Sequence, residues 1–179
     1  MNHQQILNKI RIVTCLFIAG LFISGATAIP LRTELNTLAS MLPDAQYGRT
    51  SGLTLWILKI KGALNDTYSN YPFMAYGTDW LAIGHFVIAI AFVGALRDPV
   101  RNRWLYLFGM LACILVIPYA MICGTVRGIP FYWRLIDCSF GVIGFVPLWF
   151  CWRWTGELER ADLQWHAARH HESGADIRR

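Results

Sequence analysis

Charge is what this sequence has least of. Only 15% of its 179 residues are Asp, Glu, Lys or Arg, against about a quarter in an average soluble protein. No P-loop, H-E-x-x-H helix, G-x-S-x-G elbow or redox C-x-x-C is present, so those chemistries have no residues to carry them. The five cysteines, Cys15, Cys113, Cys123, Cys138 and Cys151, all lie in or at the end of apolar stretches. They read as small buried apolar residues, and neither a disulfide framework nor a zinc site is expected. A membrane haem commonly takes two axial histidines, and His85 is the one histidine inside an apolar stretch. No internal repeat is found.

What the sequence has in quantity is apolar surface, at 55% of residues. Charge-poor runs of about 18 to 20 residues recur, the length that crosses about 30 Å of hydrocarbon at about 1.5 Å per residue. Four spans are expected, at about 10–29, 79–96, 104–123 and 131–150. The fold class that follows is an all-α integral membrane protein. It would be a four-transmembrane-helix bundle over residues 1–153, with a cytoplasmic amphipathic helix and a disordered tail over 154–179.

A net charge of +5 would suggest nucleic acid in a soluble protein, but here the basic residues lie between and beyond the apolar runs. Topology accounts for them, and no nucleic-acid partner is expected. The tight turn Arg97-Asp-Pro-Val-Arg-Asn-Arg103 belongs on the cytoplasmic side by the positive-inside rule. Lys9 and Arg11 then share that side, as do Arg153, Arg160, Arg169, Arg178 and Arg179. Both termini are expected in the cytoplasm, and the membrane is a plasma or inner membrane. Residues 1–28 also resemble a signal peptide ending at Ala26-Thr27-Ala28, against which stands an apolar run longer than the usual h-region of about 7 to 15 residues.

The first extracytoplasmic segment, 31–78, exceeds the usual limit of about 15 residues for a structureless loop. Thr33 is placed to cap a short helix through Leu42, with Pro43 as its stop. In LTLWILKIKGAL, the spacing of Leu53, Trp56, Ile57, Ile60 and Leu64 fits a helix lying in the outer interface. The alternation Leu58-Lys59-Ile60-Lys61 also fits a strand. Asn65-Asp66-Thr67 matches the glycosylation pattern. Thr78 or Asp79 caps the second span. Near the C-terminus, His166 and His170 share a helical face with His171 nearby, but without a further ligand they read as a solvated face and no metal is expected.

The polar positions within the spans carry the functional question. On a helical wheel Asp137 falls with Cys138, Gly141 and Gly144 on one small-residue face of the last span. Gly109, Ala112, Cys113, Val116, Ala120 and Cys123 form a similar face in the third, where Pro118 predicts a kink. His85 and Asp137 each lie six residues past the expected start of their span, about 9 Å deep. With Tyr119 they define a candidate cluster in the outer half, with Arg134 one turn above and Arg127 in the outer loop. His85 and Asp137 are the candidate catalytic pair, and Arg134, Arg127 and Tyr119 the candidate ligand-binding residues.

Two readings of that cluster stand. In one, Arg134 and Asp137, at i and i+3, neutralise each other and His85 packs. In the other, the ionisable groups mark a pocket or proton relay. The leading functional expectation is a bundle that binds a lipid or small ligand, or an accessory subunit of a membrane assembly. The alternative is a membrane enzyme or proton-coupled carrier using the His/Asp/Arg cluster. Expected partners are the lipid bilayer and a membrane protein or a second copy of the chain, and no cofactor is specified.

Overall fold

The computed structural model describes residues 3–42 and 51–176, with side chains described through Trp165. The described elements are helical: α1 (His3–Ala28), α2 (Leu31–Ser40), α3 (Gly52–Asn70), a 3₁₀ turn (Pro72–Ala75), α4 (Tyr76–Arg97), α5 (Arg103–Val126) and α6 (Phe131–Asp176). Among the described residues, four helical stretches are long and apolar enough to cross a membrane: α1, Pro72–Arg97, α5 and the Phe131–Trp165 part of α6.

The helix ends depart from the sequence expectation in instructive ways. Thr33 lies inside α2, where its carbonyl accepts from Thr37 Oγ1 at 2.9 Å. The N-cap position belongs to Pro30, whose carbonyl accepts from Glu34 N at 3.0 Å. α2 ends at Ser40, with Met41 as its C-cap; the expected stop, Pro43, lies outside the described residues. Asp79 also misses the cap position, because α4 starts at Tyr76, directly after the 3₁₀ turn that Pro72 opens. In the first turn its charge still complements the helix dipole.

The chain forms two compact units, Met1–Ala19 with Ile90–Arg179, and Gly20–Ala89. In the second unit LTLWILKIKGAL is helical, and Ser51 caps α3 by accepting from Thr54 N. Ile57 is buried, and Trp56, Ile60 and Leu64 are half-buried. α3 pairs with α2 through amides: Asn65 Nδ2 donates to Asn36 Oδ1 at 3.1 Å, and Arg32 Nε donates to Asn65 Oδ1 at 2.8 Å. The amide of the Asn-Asp-Thr pattern is thus committed to this pairing. Gly25 of α1 meets α4 closely, since a Cβ there would lie 2.8 Å from the Phe86 ring and 2.9 Å from the Ala82 carbonyl.

In the first unit, Ile10, Phe92, Tyr106, Leu148 and Cys151 are fully buried and bring together the start of α1, the end of α4, α5 and α6. The Phe92 ring meets Phe17 in a tilted arrangement at 4.8 Å and Tyr106 edge-on at 6.2 Å between ring centres. Small residues set the approach of α5 and α6, as the wheel suggested. A Cβ on Gly141 would lie 2.6 Å from the Cys113 carbonyl, and one on Gly109 would lie 2.7 Å from Leu148. Ala112 and Val116, expected on the same face, are exposed. α5 is continuous through Pro118, and α6 continues without a break past the expected end of its span.

Candidate functional site

The turn between α5 and α6 explains the arginine that the last span carries near its start. α5 ends in a Schellman motif: Ile129 N donates to Gly124 O at 2.9 Å, and Gly128 N to Thr125 O at 3.1 Å. The motif needs a left-handed residue after the cap, and Gly128 supplies it at φ 68°. Pro130 O then accepts from Trp133 N and Arg134 N, starting α6. This reversal lays Arg134 along the last turns of α5. Its Nη1 donates to Met121 O at 3.3 Å and to Thr125 Oγ1, while Thr125 Oγ1 itself donates to Met121 O at 2.6 Å. The arginine stem lies over Gly124, where a Cβ would fall 2.5 Å from Cδ and 2.7 Å from Cγ. Its Cζ is 5.4 Å from the Phe131 ring centre. The last carbonyls of a helix carry a fractional negative charge, so a cation docked on them is stabilised without a carboxylate, although the Nε of Arg134 stays buried without a hydrogen-bond partner.

Asp137 is therefore not the partner of Arg134. Among the described residues no ion pair joins the two, and Asp137, half-buried, makes no hydrogen bond. Arg127 is the exposed C-cap of α5, donating its backbone N–H to Cys123 O at 2.9 Å. Tyr119 is 69% exposed. Of the candidate ligand-binding residues, only Arg134 is built into a set of polar contacts. His85 belongs to the second unit and Asp137 to the first. His85 Nδ1 donates to Leu81 O of its own helix at 2.8 Å, and its Cβ packs toward Gly25. Among the described residues no group of His, Cys, Asp and Glu has the arrangement to hold a metal ion; the side chains of His166, His170 and His171 lie outside that description.

The most buried polar cluster is one that sequence reading missed. Thr14 Oγ1 donates to Ile10 O at 2.7 Å and lies 2.8 Å from Tyr106 Oη, with Cys151 Sγ at 4.0 Å. Tyr106 Oη lies 3.5 Å from Ala95 O, and Thr155 Oγ1 donates to Cys151 O at 2.6 Å. All four side chains are fully buried. Hydroxyls that would otherwise be stranded among apolar side chains satisfy one another and nearby carbonyls, which fixes the register of α1, α5 and α6. Thr14 and Tyr106 were legible only as neutral polar residues within apolar runs.

Next to this cluster Arg103 begins α5. Its Nε donates to Trp152 O at 3.3 Å and its Nη1 pairs with Glu159 at 3.1 Å. The guanidinium covers the Trp152 ring at 4.5 Å and leans on Gly156. From Trp152 a groove of about 270 Å³ runs between α5 and α6. Leu107, Leu111 and Ile114 line one wall, Phe145, Trp149 and Trp152 the other, with Met110 buried between them. Every lining residue is apolar or aromatic, so the groove suits hydrocarbon and offers no group for proton or group transfer. Compared with protein families, curated proteins and solved structures, the chain matches none of them.

Proposed function

We propose that this chain is a multi-pass membrane protein of a plasma or inner membrane that acts by holding a lipid-like ligand in the α5–α6 groove. The four apolar stretches would span as a bundle, with α2 and α3 at the outer interface and both termini in the cytoplasm. The distribution of charge supports that orientation. Ile10 and Thr14 meet Cys151 and Tyr106, and Arg103 meets Trp152. Lys9, Arg11, the Arg97–Arg103 turn and Arg153 therefore cluster at one end of the first unit, as the positive-inside rule requires.

The observation that carries the functional reading is the uniformly apolar lining of the groove. The alternative, an enzyme or proton-coupled carrier built on His85 and Asp137, gains no support from their bonding. A carrier of this size would also need more interior than four spans provide, and so an oligomer. An accessory role in a larger assembly is compatible with ligand binding. Ile114→Trp, which fills the groove, tests the proposal in protein purified in mild detergent. We expect a one-to-one lipid adduct in native mass spectrometry of the wild type and its loss in the variant. An adduct that persists in the filled groove would contradict the assignment.

A further inference from the structure

The groove is chemically lopsided. Along each helix its lining covers seven residues of advance, Leu107 to Ile114 and Phe145 to Trp152, a length of about 10 Å. At the Ile114 and Phe145 end no charged residue occurs within two helical turns on either helix, and Asp137 lies just beyond that range. At the tryptophan end two guanidinium groups cover the two rings: Arg103 sits 4.5 Å above Trp152 and Arg153 sits 5.7 Å above Trp149. They are not equivalent. Arg103 is already held by Glu159 and the Trp152 carbonyl. Arg153 is 61% exposed, and its ion pair is with the exposed Glu157, through Nε at 3.8 Å. Such an exposed, long pair holds weakly, and a guanidinium has donors on Nη1 and Nη2 besides Nε.

Resting on the functional reading above, we propose that the α5–α6 groove and Arg153 together form a site for an anionic glycerophospholipid, one acyl chain in the groove and the phosphate on Arg153. The aromatic wall and the guanidinium above it match an amphiphile whose charged group stands at the level where the hydrocarbon ends, the level tryptophan prefers. The surrounding charge decides the class of headgroup. Lys9, Arg11, Arg97, Arg101, Arg103, Arg153 and Arg160 outnumber Asp98, Glu157, Glu159 and Asp162 at this end of the first unit, so the local field attracts a net negative headgroup over a zwitterionic one. Glu157, the neighbour of Arg153, is displaced to water when phosphate takes its place.

Tryptophan quenching in proteoliposomes tests this with the full chain. Vesicles contain equal phosphatidylglycerol and phosphatidylcholine, with bromine on the acyl chains of one or the other, so that composition is constant and only the quencher moves. Subtracting the signal of a Trp149→Phe/Trp152→Phe variant isolates the groove. We expect bromine on phosphatidylglycerol to quench the groove signal about fivefold more efficiently, the attraction of one basic side chain for an anionic headgroup. Arg153→Gln, a change at an exposed side chain, should remove most of that preference, leaving only the weaker pull of the surrounding charges. Equal quenching in the wild type would overturn the headgroup assignment while leaving an acyl chain in the groove. A preference undiminished by Arg153→Gln would overturn the docking residue. No groove quenching by either lipid would sink the functional reading itself.

Discussion

Arg103 and Arg134 stand near opposite ends of the α5–α6 pair, and each lies across a glycine of the other helix. Arg103 of α5 rests its guanidinium on Gly156 of α6, and Arg134 of α6 rests its stem on Gly124 of α5. Their polar ends are satisfied differently. Arg103 has a carboxylate, a ring and a carbonyl; Arg134 has a carbonyl, a hydroxyl and a ring, and its Nε is buried without a hydrogen-bond partner. A helix C-terminus supplies partial negative charge through carbonyls that no further turn uses. An arginine there needs no acidic partner, whereas at the start of α5 the helix offers no such acceptors and Glu159 takes that role.

Substitutions can break or sharpen this comparison. The largest effect should come from Gly124→Val, because the new side chain meets the arginine stem rather than its mobile tip. We expect a loss of about 3 kcal/mol, seen as a lower thermal unfolding midpoint in detergent. Arg134→Gln should follow at about 1.5 kcal/mol, the usual value for losing a charge-assisted hydrogen bond, with Thr125 and Met121 still bonded to each other. Gly156→Ala should change stability by no more than about 0.5 kcal/mol, since the methyl meets the movable end of Arg103 and the helix gains from losing a glycine. Asp137→Ala should be smallest, within about 0.5 kcal/mol, as expected where no partner is left behind. A large loss there would show that an Arg134–Asp137 pair forms after all, and the contrast between the two arginines would fall.

The four long apolar helical stretches were legible because length and low charge are properties of a single run of residues. The contact faces were half legible. Gly141 and Gly144 meet Cys113, and Gly109 meets Leu148, on the faces the wheel indicated, but Ala112 and Val116 are exposed, because the wheel's face is wider than the strip two helices share. The Arg134–Asp137 pairing, one of the two readings of the cluster, fails for a related reason. Spacing along one helix names the neighbours a side chain can reach, and Asp137 was the only charged one; the actual acceptors lie across a turn that Gly128 creates. Thr14 and Tyr106 escaped notice because neither is charged and they are separated by 92 positions in sequence. The caps at Thr33 and Asp79 failed because proline opened both segments earlier than the side-chain signal.

α6 is 46 residues of unbroken helix, about 69 Å from end to end, whereas a bilayer's hydrocarbon is only about 30 Å thick. If α6 crosses the membrane as proposed, more than half of this rod would stand clear of the bilayer. A partner at its far end would then be held at a fixed stand-off from the membrane surface. Shortening the helix by whole turns would change that reach in steps of about 5.4 Å while preserving the angular phase of its tip.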